Sequence, residues 1–491
     1  MHKISYSFVV DAHPKFAYQG WLLARSLRAF CDAAPSEINV QLTPEVPVDV
    51  RRVFAGEGYA VHQIARFGDG RWCNKLSQLP NLAEQDCDYV VLLDTDTIAV
   101  SDLRVFFDGQ FVHAKVVDFP NPSLAALREI FAAAGLDPPD LMKADASDHE
   151  TCIGNSNGGL YAVPRPLLGV FSQEWRRWAS WLLDNPETLK REGKSMHADQ
   201  VAAALALRSA RIPFKAAPSN VNYFVHMAGK HRYLDRSKPI ALLHYHDASM
   251  NVVGLIEPPV RLDAQATAAV KAANDFISSE FQNALFWNFR YAAFPKRGSG
   301  LGSRGPNIDL KRRLLRREGI QRSRSILDVG CGDLEVLHDL KLRGYLGIDV
   351  SIQAINIAKS KRPDLRFELI ADQTFEPRDF VLCLEVLIHQ TSFDAYRALI
   401  DFLAAQTKRR LIVSGYNRKV PHHMCYFFEP LVDSLVKTGA FSAVRKIGEH
   451  TDVAVYRCDK KTAVPALKRV LDYLRPDSIL RRPDVSRSRR G

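Results

Sequence analysis

Short apolar runs alternate with helical patterns through the first half of the chain. The strand-like runs span residues 4–10, 38–42, 89–93 and 112–117. Between them, the apolar residues of 21–30 are spaced to form one side of a helix, and the tryptophan-rich residues 170–185 repeat that pattern. Because alternating strands and amphipathic helices bury their apolar sides against each other, this pattern predicts an α/β domain.

From residue 308 onward the alternation becomes regular. The order is a basic helix (309–320), a strand (325–330), a helix, a strand (345–350), a helix, two strands (366–371 and 379–386), a helix (392–406) and a strand (409–415). Such an order predicts a second α/β domain with a doubly wound, Rossmann-like sheet.

A proline-bounded break at residues 255–265, followed by a helical stretch at 266–281, indicates the domain boundary. We therefore predict a first domain at 1–260, a helical connector at 261–284, a second domain at 285–462 and a basic tail at 463–491 whose end is disordered. The glycine-rich residues 298–305 are interpreted either as a plain linker or as part of the second domain.

Composition narrows the class of protein. A chain of 491 residues with 46% hydrophobic and 25% charged residues is long enough for two or three globular domains. No apolar run approaches the ~18 residues that a membrane span needs. The amino terminus lacks the apolar segment of a signal peptide, and the eight cysteines are scattered without a metal-binding spacing. These features predict a cytoplasmic protein with reduced thiols.

The net charge of +11 is concentrated in two segments. Residues 296–324 contain ten Lys or Arg and two acidic residues, and residues 466–491 contain eight and three. Such segments attract phosphate-bearing partners, which here means anionic lipid headgroups at the inner face of a membrane, lipid-linked sugars or RNA. A solvated helical face that covers the sheet explains residues 311–324 equally well.

A glycine motif follows the first strand of the second domain. Gly330 and Gly332 lie between that strand and a predicted helix, where backbone N–H groups can approach a ligand. Asp349 ends the next strand, 21 positions after Asp328, and an acidic residue near that spacing binds ribose hydroxyls. Position 335 is Glu, so the third glycine of a dinucleotide fingerprint is missing, which favours a ligand without a pyrophosphate.

LDVGCGD at 327–333, together with Asp349 and Asp372, resembles the class I S-adenosylmethionine-dependent methyltransferases over residues 285–460. The resemblance implies S-adenosylmethionine as cofactor and places Asp328, Gly330 and Gly332 around its methionine part, Asp349 at the ribose and Asp372 at the adenine. It also places Glu385 beside the methyl group. GSGLGSRG at 298–305, followed by YLGIDVS at 345–351 and CLEVLIHQ at 383–390, is similar to a bacterial branch of these enzymes found in polysaccharide gene clusters.

Methylation of a sugar hydroxyl requires a general base, because the hydroxyl is a poor nucleophile until its proton is being removed. His389 follows the fourth strand on the side of the methyl donor and is our first candidate. The other candidates are His422, His423 and Glu429. Each histidine is also compatible with a purely structural role.

Asp94 and Asp96 follow the apolar run YVVLL in the first half of the chain. Residues two apart on an extended chain project in the same direction, and paired carboxylates suit Mg²⁺ or Mn²⁺. Such an ion can bridge the carboxylates to a nucleoside diphosphate and stabilise its departure. The alternative is a polar turn that caps a helix.

Six motifs occur in an order that resembles GT-A-type glycosyltransferases of the glycogenin-like and galactosyltransferase-like groups, over residues 1–255. They begin at residues 10, 73, 93, 155, 197 and 242. The resemblance implies a nucleotide-sugar donor, with a UDP-sugar favoured, and the following roles: Asp94 and Asp96 bind the metal with His244 or His246, Asp11 contacts the nucleoside, Lys75 neutralises the diphosphate, and Asn157, Gly158 and Asp199 face the sugars.

This chain continues HYHDASM where those groups have a glycine and a lysine for the phosphate. The departure leaves both the metal-completing histidine and the phosphate cation open. Asp199 is either the base of an inverting reaction or a donor-sugar ligand in a retaining one.

Together these features predict a bifunctional enzyme of polysaccharide or lipopolysaccharide-type glycan biosynthesis, which transfers a sugar and O-methylates a sugar hydroxyl of a glycan or lipid-linked saccharide. One alternative is an RNA methyltransferase, against which stands the lack of an aromatic-rich RNA-binding motif. The other is a methyltransferase whose first domain binds a nucleotide sugar without catalysis.

Overall fold

The computed structural model describes residues 2–108, 110–227, 229–246, 249–370, 374–420 and 423–461. The chain divides into two compact units between Gly298 and Ser299. The predicted basic tail lies outside the described residues.

The first unit contains twelve described strands and eight described α-helices. The strands are β1 (Ile4–Val10), β2 (Ile38–Leu42), β3 (Ala60–Gln63), β4 (Tyr89–Leu93), β5 (Thr97–Ala99), β6 (Val112–Val116), β7 (Leu141–Lys143), β8 (Glu150–Cys152), β9 (Ser156–Pro164), β10 (Phe214–Ala216), β11 (Tyr223–Phe224) and β12 (Leu242–His244). The helices are α1 (Pro14–Cys31), α2 (Val48–Gly56), α3 (Leu124–Ala133), α4 (Arg165–Asp184), α5 (Glu187–Arg191), α6 (Ala198–Ser209), α7 (Ala264–Ser279) and α8 (Asn283–Ala293).

A seven-stranded mixed sheet forms the centre of this unit, in the order β10-β6-β9-β4-β1-β2-β3. All five residues of β4 are buried, which explains why this segment is apolar without alternation. β4 is parallel to β1 and antiparallel to β9. The end of β4 therefore lies beside the start of β9, and Asp94 N–H donates to the Gly159 carbonyl at 3.1 Å.

A small three-stranded sheet, β11-β12-β5, crosses the same region. β12 is antiparallel to β5 and pairs His244 with Thr97. Tyr245 N–H donates to the Asp96 carbonyl at 3.1 Å. This pairing brings a histidine from late in the unit next to the residues that follow β4.

The helices α7 and α8 pack on α1 and belong to the first unit. The ring of Tyr18 stacks on Phe289 with centroids 5.0 Å apart, and Phe30 contacts Phe276 at 5.5 Å. Arg25 on α1 forms an ion pair with Glu280 at 2.8 Å. Because these helices bury their apolar sides against α1, the division of the chain comes after Gly298, later than the predicted connector at 261–284.

The second unit contains four described α-helices and seven described strands. The helices are α9 (Pro306–Arg317), α10 (Ile352–Lys361), α11 (Phe393–Gln406) and α12 (Leu431–Lys437). The strands are β13 (Ile326–Val329), β14 (Tyr345–Asp349), β15 (Arg366–Leu369), β16 (Arg378–Cys383), β17 (Thr407–Gly415), β18 (Phe441–His450) and β19 (Val453–Lys460).

These strands form one sheet in the order β15-β14-β13-β16-β17-β19-β18. The first five are parallel, and β19 is antiparallel to both of its neighbours. Apolar residues of α9 and α10 join one core cluster, and those of α11 and α12 join another. The sheet is therefore doubly wound, as the sequence predicted, with an additional antiparallel pair at one edge.

The predicted helix after the glycine motif is not formed, since residues 333–340 consist of turns. Leu334 has φ 59°. Arg312 donates to the carbonyls of Glu335 and Val336, and Arg362 donates to those of His338 and Leu340. These guanidinium groups bind carbonyls that a helix would use internally, so the segment after the glycine motif is not a regular helix.

Among the described residues, no helix is long and apolar enough to cross a membrane. All eight cysteines lie in the described part of the chain, and none forms a disulfide.

Candidate active sites

Three side chains of the first unit form a potential metal site. One oxygen each of Asp94 and Asp96 and one nitrogen of His244 all lie within 4.8 Å of one another. The two carboxylates come from the turn between β4 and β5, and the imidazole comes from the end of β12. Two hard oxygen ligands and one imidazole fit a divalent ion such as Mn²⁺ or Mg²⁺.

A chain of hydrogen bonds orients the His244 ring. Gly159 N–H donates to Asn157 Oδ1 at 2.8 Å, and Asn222 Nδ2 donates to the same oxygen at 2.9 Å. Asn222 Oδ1 therefore faces His244 Nδ1, at 2.9 Å, and accepts the hydrogen that Nδ1 carries. Nε2 is left as the nitrogen that faces the carboxylates, which is the tautomer a metal ligand requires.

His244 Nε2 lies 3.2 Å from Asp96 Oδ1. Burial opposes ionisation of Asp96, but positive charge at His244, followed by that at His246, outweighs it and lowers the pKa of Asp96. With His244 in the neutral tautomer described above, a metal ion bound to Nε2 would have to supply that positive charge. A carboxylate and an imidazole lone pair at this separation are stabilised by a cation between them.

His246 lies outside this group of three. Its ring stacks on that of His244 with centroids 3.9 Å apart and an interplanar angle of 6°. Burial, followed by the repulsion of His244, lowers the pKa of His246 to about 3. Of the two histidines that the sequence left open, the geometry favours His244 as metal ligand and His246 as its stacking partner.

Lys75 and Asp199 complete the polar centre of the first unit. Lys75 Nζ forms an ion pair with Asp94 Oδ1 at 2.6 Å and donates to the Gly158 carbonyl. Burial opposes the charge of Lys75, but Asp94 and Asp199 outweigh it and raise its pKa. A buried cation therefore lies against one of the proposed metal ligands, where a diphosphate would also need a positive charge.

Asp199 is a buried carboxyl group whose ionisation is opposed by its surroundings. It lies in the first turn of α6 and is 4% exposed, and its Oδ1 has no hydrogen-bond partner in the described part of the chain. Burial, assisted by Asp94 and opposed by Lys75, raises the pKa of Asp199 to about 7. A buried carboxyl poised near neutral pH is typical of functional sites.

The glycines of β9 allow this centre to form. A Cβ on Gly159 would lie 2.6 Å from His244 Nδ1 and 2.9 Å from both polar atoms of the Asn222 amide. A Cβ on Gly158 would lie 3.1 Å from Lys75 Nζ. Both glycines lie in strand β9, and their missing side chains leave room for His244 and Lys75.

Asp11 lies at the end of β1, at the same sheet edge. Its carboxylate accepts hydrogen bonds from Arg66 at 2.9 and 3.1 Å and from the Thr43 hydroxyl at 3.0 Å. Burial opposes the charge, but Arg66 outweighs it and lowers the pKa of Asp11. The candidate nucleoside contact is therefore an ionised carboxylate held in place by an arginine, which sequence analysis did not identify.

A second cluster in this unit, also missed from the sequence, contains Asp118, Asp145 and His231. Lys115, fully buried, forms ion pairs with both carboxylates and lies 3.1 Å from Asp145 Oδ2. His231 Nδ1 lies 2.8 Å from that same oxygen. Lys115 pairs with both carboxylates of this cluster, whereas Lys75 forms an ion pair with Asp94 and not with Asp96. We therefore interpret the second cluster as a structural ion network.

In the second unit, Asp349 holds the glycine motif. Its Oδ2 accepts from Gly332 N–H at 2.9 Å and its Oδ1 from Ser351 N–H at 2.8 Å. Gly330 and Gly332 have φ of 74° and 54°, a region that favours glycine. Burial raises the pKa of Asp349 to about 6 despite these bonds, and no described cation pairs with it.

Asp328, within β13, accepts a hydrogen bond from the Tyr345 hydroxyl at 2.7 Å. Burial raises the pKa of Asp328 to about 7, and the nearby Asp349 adds to the shift. Two buried carboxyl groups, those of Asp328 and Asp349, therefore lie beside the glycine motif. The third candidate, Asp372, lies outside the described residues.

Glu385 follows β16 at the same edge, with φ 63°. Its Oε1 lies 2.5 Å from Lys311 Nζ and 2.8 Å from His450 Nε2. Burial opposes ionisation, but His450 and Lys311 outweigh it and lower the pKa of Glu385 to about 2. This low pKa makes Glu385 a poor proton acceptor and fits a positioning role. Lys311 belonged to the basic segment in our sequence interpretation, and His450 had no local signal.

The base candidates have different surroundings. His389 ends a short 3-10 helix, and its Nδ1 lies 2.9 Å from the Met424 carbonyl, which orients the ring. Glu429 accepts a hydrogen bond from the Ser434 hydroxyl at 2.6 Å and pairs with Lys437. Both partners lie on α12, so we interpret Glu429 as a residue that stabilises this helix. His422 lies outside the described residues. His389 remains our first candidate.

The glycine-rich residues 298–305 lie against this cofactor edge. Ser299 Oγ donates to Asp333 Oδ1 at 2.5 Å, and Arg304 donates to Asp333 Oδ2 at 2.8 Å. Glu385 packs directly on Gly302, where a Cβ would overlap its carboxylate. Of the two interpretations of this segment, the contacts favour the one that assigns it to the second domain.

Fold and site together define the first unit as a GT-A-type α/β domain, and the second as a Rossmann-like domain. Residues 7–211 match the family model described as Rhodobacterales glycosyltransferase domain. This match confirms a glycosyltransferase domain in the first unit, and the chain is a transferase. The comparison with curated proteins gives no match.

Solved structures to which the chain is similar belong to both transferase classes. The galactosyltransferase LgtC, in complex with donor and acceptor sugar analogs, is 18% identical with a TM-score of 0.35 over 56% of this chain and 96% of its own. The magnesium protoporphyrin IX methyltransferase of Synechocystis PCC 6803, with bound SAH, is 21% identical with a TM-score of 0.28 over 31% and 82%. The N-methyltransferase NodS of Bradyrhizobium japonicum WM9 is 19% identical with a TM-score of 0.27 over 32% and 94%.

Proposed function

We propose that the chain is a bifunctional enzyme of glycan biosynthesis. The first domain transfers a sugar from a nucleotide donor, most simply a UDP-sugar, with the help of a divalent ion. The second domain uses S-adenosylmethionine to O-methylate a sugar hydroxyl of the same glycan or lipid-linked saccharide. The observation that carries the proposal is the group of Asp94, Asp96 and His244, with its oriented imidazole, inside a domain of a glycosyltransferase family.

For sugar transfer, Asp94, Asp96 and His244 are the residues that would hold Mn²⁺ or Mg²⁺. When bound, such an ion supplies positive charge to a diphosphate leaving group. Lys75 already lies between Asp94 and the Gly158 carbonyl and can add a second positive charge there. Asp199, with its unpaired Oδ1, is placed to accept a hydrogen bond or a proton from a sugar hydroxyl.

For methyl transfer, Asp349 fixes the glycine motif and, when ionised, accepts hydrogen bonds from ribose hydroxyls. S-Adenosylmethionine supplies the electrophilic methyl group. Glu385 is held as a carboxylate by Lys311 and His450, and His389 is the proposed base for the acceptor hydroxyl. The missing pyrophosphate glycine at position 335 agrees with a ligand of this kind.

Fusion of the two activities favours a shared acceptor. When the linker can span the two sites, the product of the first active site reaches an effective concentration of about millimolar at the second. A glycan that has just been extended would therefore be captured for methylation before it diffuses away.

A cross-over binding experiment tests both halves. UDP is titrated calorimetrically with and without Mn²⁺, and S-adenosylmethionine is titrated separately, into the wild type, Asp94→Asn and Asp349→Ala. We expect Asp94→Asn to lose Mn²⁺-dependent UDP binding and to keep S-adenosylmethionine binding, and Asp349→Ala to do the reverse. Normal S-adenosylmethionine affinity in a folded Asp349→Ala protein would contradict the cofactor site, and UDP binding that ignores both Mn²⁺ and Asp94 would contradict the metal site.

A further inference from the structure

A basic groove lies in the second unit at the sheet edge opposite the cofactor motifs. It has a volume of about 480 Å³, which is within the usual range for ligand pockets. Five arginines line it: Arg317, Arg322, Arg324, Arg409 and Arg410. Two carboxylates, those of Glu318 and Asp379, also line it, so the groove carries a net charge of 5 − 2 = +3.

Two of the five arginines are engaged by Glu318. Arg317 lies 3.3 Å and Arg410 3.6 Å from its carboxylate. Glu318 also pairs with Arg457 at 3.1 Å. Asp459 also pairs with Arg410 at 2.9 Å and with Arg457 at 2.8 Å, so two carboxylates share these three guanidinium groups.

The other three arginines have no acidic partner among the described residues. Arg409 donates to the Ser323 hydroxyl at 3.1 Å. Arg322 and Arg324 are exposed, and no carboxylate of the described chain lies within ion-pair distance of either. Guanidinium groups left in this way can bind phosphate oxygens through two parallel hydrogen bonds.

The position of the groove separates it from the proposed cofactor site. Arg322 and Arg324 precede β13, Asp379 lies near the start of β16, and Arg409 lies near the start of β17. The glycine motif and Glu385 follow the opposite, carboxyl ends of β13 and β16. A four-residue strand is about 13 Å long, so both sites can be occupied at once.

The rest of the basic segment is used inside the fold. Lys311 pairs with Glu385, and Arg312 binds backbone carbonyls and Asp339. Arg313 and Arg316 are exposed on α9 but do not line the groove. The positive charge that the sequence placed in residues 311–324 is therefore available to a ligand chiefly at Arg322 and Arg324.

We propose that this groove is a binding site for a phosphate-bearing ligand, distinct from both candidate active sites. The ligand carries anionic phosphate groups, and its source is either a soluble diphosphate or the headgroup of an anionic lipid. The proposal does not depend on the proposed function, because the groove lies away from the cofactor edge.

The test compares two double variants of the full-length protein. Arg322→Ala/Arg324→Ala removes the unpaired arginines, and Arg313→Ala/Arg316→Ala removes the same charge from the same segment outside the groove. Each is titrated with inorganic pyrophosphate in the presence of EDTA, so that no divalent ion recruits pyrophosphate to Asp94 and Asp96. Each is also sedimented with phosphatidylcholine vesicles in which roughly one lipid in three is phosphatidylglycerol.

We expect the groove variant to lose at least about tenfold in affinity and the control to lose less than about threefold, since only the former loses direct charge-assisted hydrogen bonds. If the groove variant loses more affinity than the control for pyrophosphate, the ligand is a soluble phosphate compound. If this difference is found with vesicles alone, the ligand is a lipid headgroup. No binding of either probe, or equal losses in the two variants, would overturn the proposal. Thermal unfolding confirms that both variants are folded.

Discussion

Substitution of Gly159 by Ala perturbs the metal site without removing a ligand. The new Cβ would lie 2.6 Å from His244 Nδ1 and 2.9 Å from the Asn222 amide atoms, closer than non-bonded atoms tolerate. Gly159 lies in strand β9, where alanine is otherwise acceptable. His244 and Asn222 must therefore move, and the hydrogen bond that fixes the Nδ1–H tautomer is lost or lengthened.

The expected loss of Mn²⁺ affinity can be estimated from the role of the hydrogen bond between Asn222 and His244. Loss of the group that orients a metal-bound histidine costs about 10- to 100-fold in metal affinity. Overpacking of this kind also destabilises a fold by about 1–3 kcal/mol. We therefore expect Gly159→Ala to remain folded, with a lowered melting temperature, and to bind Mn²⁺ at least about tenfold more weakly than the wild type.

The assay is a calorimetric or electron paramagnetic resonance titration of Mn²⁺ into each protein. Gly169→Ala is the matched control, since Gly169 lies in helix α4 with nothing within 4 Å of its Cβ position, and we expect unchanged Mn²⁺ affinity. Asp94→Asn gives the reference for a lost ligand. If folded Gly159→Ala binds Mn²⁺ as tightly as the wild type while Asp94→Asn does not, His244 is not a ligand and the reasoning is refuted.

Three further predictions concern buried charges. S-Adenosylmethionine affinity should rise as the pH increases through about 6, because the Asp349 pKa is raised to about 6 and only the ionised form is a full acceptor for ribose hydroxyls; calorimetry at several pH values checks this, and a flat profile would exclude Asp349. Glu385→Gln should lower the free energy of unfolding by about 3 kcal/mol, because it leaves Lys311 buried without its counter-ion. Glu385→Gln/Lys311→Met should recover most of that loss, as measured by urea unfolding. An unchanged free energy of unfolding in Glu385→Gln would contradict the pairing. Asp199→Asn should become more stable relative to the wild type as the pH rises from about 4 to 7, by up to about 4 kcal/mol. The reason is that the folded wild type keeps the Asp199 proton up to about pH 7, whereas its unfolded chain loses that proton near pH 4. A stability difference that does not change with pH would mean that Asp199 ionises normally.

The parts of each site that depend on one strand were predictable from the sequence. The fully apolar β4 predicted where Asp94 and Asp96 would emerge, and β13 and β14 predicted the edge that carries Gly330 and Asp349. Hydrophobic patterning reports whether a segment is buried, and a carboxyl end of a parallel strand is a recurrent ligand position. The fold class followed from the same pattern.

The parts that depend on pairing between distant segments were not predictable. The choice between His244 and His246 is made by the register of β12 against β5, which pairs His244 with Thr97. Asn222 and His450 act through contacts with residues far away in sequence, and neither lies in a recognisable motif. A two-residue change of register would bring His246 to the position of His244, and no local pattern records the register.

Hydrogen bonds from side chains to distant backbone carbonyls also could not be predicted from the sequence pattern. Residues 333–340 satisfy a helical pattern, yet Arg312 and Arg362 bind four of their carbonyls. The same limit applies to the connector, since the apolar sides of α7 and α8 indicate that these helices are buried but not which helix they pack on. Their partner, α1, lies more than two hundred residues earlier in the chain.

The most direct test of the central claim is donor hydrolysis by the first domain in the full-length protein. Release of nucleoside diphosphate from UDP-, GDP- and dTDP-sugars is measured with Mn²⁺, with EDTA, and in Asp94→Asn. We expect slow, Mn²⁺-dependent hydrolysis of at least one donor, with a UDP-sugar as the first candidate, and loss of this hydrolysis in Asp94→Asn. Mn²⁺-dependent binding of UDP without hydrolysis of any donor would contradict a catalytic first domain and leave a methyltransferase with a nucleotide-sugar-binding module.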